Sequence, residues 1–194
     1  MTMVINGNGS ITGLSAGGLP DATVTTAEIV DLNVTPAKLS QKLTSGTAVA
    51  STSGTSIDFT SIPSWVKRIT VMFNGVSTNG ASPFLIQIGA GSITTTGYKS
   101  VATWSSGGTV ISTSGFALSY SPNAANVYSG QVILSSFGSN SWIETGILGQ
   151  VDAALYNAVS CGNVALSGAL DRVRITTVNG TDTFDAGSIN IMYE

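Results

Sequence analysis

Residues 57–76, IDFTSIPSWVKRITVMFNGV, contain the clearest structural pattern in the chain. Ile69, Val71 and Phe73 alternate with more polar residues, so one side of the segment is apolar and the other is mixed. This period of two is typical of a strand with one face in a core. The dipeptide Asn74-Gly75 near the end of the stretch predicts a turn or a β-bulge.

Similar strand patterns recur roughly every ten residues from there to the C-terminus, with Gly, Asn and Ser between them. A helical period is almost absent from this part of the chain. The sequence therefore predicts an all-β fold, an antiparallel, jelly-roll-like β-sandwich, and leaves the strand order open. The further predicted strands are 84–88, 93–104, 109–120, 127–137, 142–151, 159–166, 173–178 and 188–193.

The N-terminal segment has a different pattern, in which VTTAEI at 24–29 is echoed by VTPAKL at 34–39. Thr25 and Thr35 can each cap a short helix. Such short helices are unstable alone, so this mostly extended segment needs a partner to bury its apolar residues. We predict an attachment and oligomerisation segment over 1–45 and a β-sandwich domain over 46–194. The apolar residues proposed for attachment are Val24, Ile29, Val34, Leu39 and Leu43.

The chain has few charges: 9% of its residues are charged, against about 25% in ordinary soluble domains. A surface covered mainly by Ser, Thr and Asn is prone to associate. This composition favours an obligate homo-oligomer in which much of each chain meets another. A secreted polar β protein is the competing interpretation.

The composition argues against nucleic acid and membrane as partners. The net charge is −3 and the chain has seven Lys and Arg, too sparse for the basic stripe that nucleic acid requires. It has no apolar run long enough for membrane insertion, and its N-terminus lacks the pattern of a signal peptide. The single cysteine, Cys161, is expected to be a small core or sheet residue rather than a reactive thiol.

The residues needed for catalysis are scarce. The chain has no histidine, which removes the commonest general base and metal ligand. Glycosidases work with paired carboxylates, but the acidic residues here are scattered and most are expected at solvated turns. Asp182 and Asp185 form the nearest thing to a cluster, and turn capping is their expected role. We therefore predict no enzyme activity, no cofactor and no metal site.

Several aromatic residues fall near the ends of predicted strands or in loops, where a platform for stacking sugars would lie. Core or subunit packing is the simpler interpretation for any one of them. As a group, they are the best candidates for a glycan-binding site. They are Tyr98, Trp104, Tyr120, Tyr128 and Trp142.

Two stretches resemble a known family. Residues 11–39 contain GGLPD followed by repeated VTxAxL units, similar to a segment of bacteriophage tail-fibre and related virion proteins. Residues 57–80, with the ending TDTFDAGSINIMYE, resemble the C-terminal β domain of the same phage proteins. The resemblance implies a virion surface protein, usually trimeric, with an N-terminal attachment segment and a β tip that contacts the host surface.

Three functions are compatible with these observations. The first is a homotrimeric short tail fibre, located on the phage tail, whose tip binds a host glycan and whose N-terminal segment joins other virion proteins. The second is a capsid decoration or head-fibre protein that cements the head. The third, a small glycan depolymerase, is disfavoured by the missing histidine and the scattered carboxylates.

Overall fold

The computed structural model describes residues 4–5, 11–12, 34–35, 38–39, 42–119, 123–124, 126–152 and 156–194. The chain divides into two compact units, residues 1–42 and residues 43–194. In the first unit, β1 (Val4–Ile5) pairs antiparallel with β2 (Ile11–Thr12). Most residues of the predicted N-terminal helices lie outside the described ranges.

The second unit is all β where it is described. Its strands, in chain order, are β3 (Thr44–Ser45), β4 (Val49–Ala50), β5 (Ile57–Thr60), β6 (Arg68–Thr78), β7 (Phe84–Ala90), β8 (Ser92–Ile93), β9 (Lys99–Trp104), β10 (Thr109–Ser112), β11 (Phe116–Ala117), β12 (Tyr128–Gly138), β13 (Ser141–Gln150), β14 (Asn157–Ala165), β15 (Arg172–Thr177) and β16 (Phe184–Tyr193). The predicted strands 84–88, 127–137, 142–151, 159–166 and 173–178 correspond to β7, β12, β13, β14 and β15 with small shifts at their ends, and 188–193 is part of a longer β16. The predictions of single strands over 93–104 and 109–120 are wrong. The first range is split between β8 and β9 and the second between β10 and β11, because the chain crosses from one sheet to the other within each range.

In the second unit, the described strands form two antiparallel sheets. The large sheet has the order β10-β9-β14-β13-β12-β6-β16-β3, and β4 also pairs with β16. The small sheet has the order β11-β7-β15-β5, and β8 pairs with β7. The prediction of an all-β, antiparallel sandwich is confirmed, and the structure supplies the strand order that periodicity left open.

The core lies between the two sheets and is built by alternation. Ile69 and Val71 point inward from β6 in the large sheet, and both are fully buried. Val173 and Ile175 do the same from β15 in the small sheet. These residues belong to one continuous apolar cluster. Burial of apolar side chains from both sheets is the main stabilising contribution to such a fold.

Phe84 of β7 occupies the centre of this core. Its ring lies 5.4 Å from that of Tyr128, in an edge-to-face contact, and 6.2 Å from the rings of Phe73 and Phe184. Those three partners belong to the large sheet, whereas Phe84 belongs to the small one. A single aromatic side chain therefore joins the two layers.

The predicted irregularity at Asn74-Gly75 is a β-bulge within β6. The register against β12 shifts between Tyr128 and Gly130 at this point. Gly75 has a φ of 64° and Gly187, on the neighbouring β16, has a φ of 87°. A Cβ atom on Gly187 would lie 2.3 Å from the carbonyl oxygen of Gly75, so two backbones approach here where only glycine fits.

Candidate interaction surface

The outward side of the large sheet carries a row of mainly apolar side chains that crosses five strands. The register places Ile111 opposite Val101, Val101 opposite Cys161, Cys161 opposite Thr145 and Thr145 opposite Ile133. These residues alternate with buried ones along each strand, so they point away from the core. Ile111 is 76% exposed, and Cys161 is also exposed.

Neighbouring rows extend this surface. On one side Val159 pairs with Ile147, and these side chains are 53% and 58% exposed. On the other side Ile143, 42% exposed, pairs with Asn163. We use the term apolar face for the outward side chains of β9, β10, β12, β13 and β14 that share this character. They are Val101, Ile111, Ile133, Ile143, Ile147, Val159 and Cys161.

A shallow groove of about 640 Å³ runs over the apolar face. Val101, Ile111, Ile143 and Cys161 line it, together with Lys99 and with polar residues that include Thr145 and Asn163. Every second residue of a strand points to the same side of the sheet, so these side chains lie next to one another on its outer surface. The groove is open and its exposed surface is mainly apolar, whereas a small-molecule site is usually a more enclosed pocket in which a few polar groups converge.

Charge is scarce around the apolar face. Lys99 lies in its outer row, opposite Asn163. Further along, Ser135 pairs with Arg68, whose guanidinium makes an ion pair with Glu194. One lysine and one neutralised arginine give no basic stripe, so this surface fits an apolar protein partner better than a nucleic acid.

The outer face of the small sheet has the opposite chemistry. Arg174 donates two hydrogen bonds to Asp58, at 2.7 and 2.9 Å. Arg172 donates two to Asp171, at 2.7 and 3.0 Å. The hydrogen bonds from Arg172 are the main reason why the pKa of Asp171 lies below its ordinary value. A solvated sheet face is typically covered in this way.

Glu144 lies on the inner side of the large sheet, beneath the apolar face. Its side chain is 1% exposed; its Oε1 accepts a 2.6 Å hydrogen bond from the Ser160 hydroxyl, and its Oε2 has no hydrogen-bond partner. A Cβ on Gly146 would lie 3.1 Å from Oε1 and 2.8 Å from the Ser160 Oγ, so the glycine leaves room for the carboxyl group. Burial raises the pKa of Glu144 to about 7, and the bond from Ser160 offsets part of this increase.

Most acidic residues are expected at solvated turns, but Glu144 lies within β13 and its side chain is buried. The alternation of inward and outward side chains along the predicted strand could have identified it. Glu144 is two residues from Trp142 and four from Leu148, and both of these side chains are buried. A strand period of two puts all three on the same side.

The predicted glycan platform requires a correction. Tyr98, Trp104, Tyr128 and Trp142 are all buried, with exposures of 1%, 7%, 0% and 4%, so they cannot stack on a sugar at the surface. Tyr120 lies outside the described residues. The inward side of a strand holds a side chain in the core even when the residue lies near the end of that strand, as Tyr98 and Trp104 do.

The four buried aromatic residues hold the sandwich together. The Tyr98 ring meets Phe116 edge to face at 4.9 Å, and its hydroxyl accepts a 2.8 Å hydrogen bond from the Ile88 amide. Burial raises the pKa of Tyr98 to about 12. Trp104 lies 6.1 Å from Tyr128, ring to ring. Their role is packing, which was the simpler of the two interpretations.

The predicted attachment residues are described only in part. Val24 and Ile29 lie outside the described residues. Val34 and Leu39, in the first unit, are 50% and 49% exposed, and Leu43, at the start of the second unit, is 57% exposed. Their part in attachment stays a prediction.

The remaining candidates have structural contacts. Asp182 accepts hydrogen bonds from the Ser82 amide at 2.9 Å and from the Asn179 side chain at 2.6 Å, so it ties two loops together. Asp185 accepts a hydrogen bond from the Ser77 hydroxyl. Cys161 lies in a strand, as expected, but it is exposed and is not a core residue. Within the described ranges, no group of residues suited to hold a metal ion and no helix suited to cross a membrane is found.

Comparisons of the chain with protein-family models, with curated proteins and with solved structures give no match. The functional argument therefore depends on the residues themselves, and the exposed apolar face is the feature that most needs an explanation.

Proposed function

We propose that this protein is a structural protein of a bacteriophage particle, a short tail fibre that works as a homo-oligomer of three copies. In this proposal residues 1–45 attach it to other virion proteins and the β-sandwich forms the tip that meets the host. The observation that carries the proposal is the exposure of Ile111, Ile147 and Val159 on one side of the sandwich.

Exposed isoleucine and valine at this density favour an assembled state. Full burial of such a side chain stabilises by about 1.5–3 kcal/mol relative to leaving it in water. Scattered apolar side chains are normal on a monomer, but a contiguous group is typical of an interface. A virion component repeats many times and uses such faces to hold its copies together.

The chemistry of the described residues supports a structural role over an enzymatic one. Glu144, the carboxyl group with a strongly raised pKa, lies in the core and contacts Ser160 and the small residues around it. A glycoside hydrolase needs two carboxylates that flank the scissile bond in an accessible cleft. A buried glutamate beneath a sheet lacks that access.

The host-binding part of the proposal rests on the resemblance to tail fibres. Four of the five candidate aromatics are buried, and Tyr120 lies outside the described residues, so we look for receptor contact among other side chains as well. Phe137 and Tyr156 are the large aromatic residues with high exposure in the described chain, at 79% and 39%. Phe137 lies at the end of β12, next to the turn into β13.

Immunogold electron microscopy of intact particles tests this function. We expect gold-tagged antibody against the β domain to label the tail. Label spread over the head would favour the capsid decoration protein over the fibre. Particles without label, purified from cells in which the protein is produced, would contradict a structural role in the virion altogether.

A further inference from the structure

We propose that the apolar face is the surface at which copies of this chain pack against one another, with Cys161 close to the centre of the contact. The inference rests on the proposed function only in taking the protein to be a homo-oligomer. It adds the sheet, the strands and the side chains that make the contact.

The size of the face is that of a large surface patch. Five neighbouring strands about 4.8 Å apart span about 19 Å, and β9, β10, β12, β13 and β14 average eight residues, or about 26 Å, so together they cover roughly 500 Å². A stable protein–protein interface buries about 800 Å² per partner. The largest apolar patch of an ordinary monomer covers about 300–600 Å² and is often functional. This face lies in the upper part of that range and would supply more than half of the surface that a stable interface buries on each partner.

The side chains of the face are suited to tight packing. Ile111, Ile143, Ile147, Val101 and Val159 are β-branched, and their stiff rotamers lose little conformational entropy when a partner covers them. They stand on paired strands, so the backbone beneath them is already ordered. A partner therefore meets a surface that needs little rearrangement.

A second copy is the partner that this chemistry fits best. Between β10 and β12, Lys99 is the charged residue that points outward, and no patch of one sign calls for an oppositely charged protein. A face of uncharged isoleucine, valine and threonine is complementary to another face of the same kind. The composition of the whole chain, with 9% charged residues, agrees with repeated contact between copies.

The contrast with the small sheet supports the choice of this side. There, Arg174 and Asp58 pair with each other, and both side chains keep more than a third of their surface in water, 37% and 39%. A chain that associated through both faces would bury these charges at a cost. Association through the apolar face leaves them solvated.

The test places a charge on each face in turn. Ile147→Glu puts a carboxylate next to Val159 on the apolar face, and Thr60→Glu puts the same group on an exposed position of β5 in the small sheet. Light scattering coupled to gel filtration measures the mass of each folded variant, and far-ultraviolet circular dichroism checks its fold. Ile111→Glu is the second variant for the apolar face. Its side chain is 76% exposed on the edge strand β10, so the monomer fold should tolerate it.

We expect the wild-type protein and Thr60→Glu to be oligomers, and Ile147→Glu and Ile111→Glu to be folded monomers. An uncompensated carboxylate in a dry contact should weaken association by about 100-fold or more. A monomeric wild-type protein would overturn the inference, and so would an Ile111→Glu variant that keeps the wild-type mass. An oligomer found on particles whose mass is unchanged by Ile147→Glu and Ile111→Glu would defeat this inference alone. An oligomer of the expected kind that is absent from particles would defeat the proposed function alone.

Discussion

The outer face of the small sheet carries Asp58 and Arg174 in a two-point ion pair, whereas the outer face of the large sheet carries the exposed apolar side chains of Ile111, Ile147 and Val159. Both faces are built by the same alternation of inward and outward residues on a common core. In the proposed assembly, this difference reflects what each face meets. The charged side suits water, and the apolar side suits another protein surface.

The comparison assumes that both sheets pack on one core. Replacing Phe84 tests this assumption and is expected to cause the largest loss of stability. Phe84→Ala removes the ring that contacts Phe73, Tyr128 and Phe184 across the two sheets. We expect the free energy of unfolding to fall by about 3–5 kcal/mol, because a cavity remains where the sheets met. Urea unfolding at fixed protein concentration measures it.

Phe137→Ala is the matched control, because this ring is 79% exposed. It should change the unfolding free energy by less than about 0.5 kcal/mol. If both variants lost the same small amount, the two sheets would not share a core, and the comparison of their outer faces would lose its basis.

Glu144 offers a second test, on the inner side of the apolar face. Its pKa is raised from an ordinary value of 4.5 to about 7, so the folded chain keeps a proton that the unfolded chain has lost between these pH values. Stability should therefore fall as the pH rises from about 4.5 to about 7 and then level off, with a total loss of roughly 3 kcal/mol.

Glu144→Gln removes the ionisable group and keeps the acceptor for the Ser160 hydroxyl. The variant should lose this component of the pH dependence and be more stable than the wild type at about pH 8. Urea unfolding of both proteins across this pH range measures the difference. A wild-type profile that rises from about pH 4.5 to about pH 7, or a variant with the wild-type profile, would contradict the burial of an ionisable Glu144.

The smallest effect is expected on the charged face. Asp58→Asn weakens the pair with Arg174, whose side chain is 37% exposed and remains hydrated. We expect at most about 1 kcal/mol of lost stability, the usual value for exposed ion pairs, and no change in mass by light scattering. If this substitution dissociated the oligomer, the contact between copies would involve the small sheet, which would contradict the proposal.

The sequence predicted the layers of this fold better than it predicted their surfaces. Alternation at Ile69, Val71 and Phe73 identified a strand, and Asn74-Gly75 identified the bulge within it. Both patterns involve residues close together in the chain, so they can be recognised from a single sequence. The strand order needs pairings between residues far apart in the chain, such as Val132 with Val71, and no local pattern contains them.

The same reason explains the errors about sites. Periodicity separates two sides of a strand, but it does not say which side another sheet will cover. The position of Tyr98 near a strand end makes it a candidate for a surface platform, and the charge of Glu144 gives no sign that its side chain is buried. Each side chain is buried, because its strand turns that side toward the core.

Thiol labelling on both faces tests the central claim most directly. Thr60→Cys adds a thiol to the charged face of a chain whose single native cysteine, Cys161, lies on the apolar face. The rates of maleimide labelling at the two positions are then compared at high and low protein concentration. We expect the thiol at position 60 to react at the same rate throughout, and Cys161 to react at least about 10-fold more slowly when the protein is concentrated and assembled. Equal and concentration-independent rates at the two positions, in a protein that light scattering shows to be oligomeric, would contradict the account.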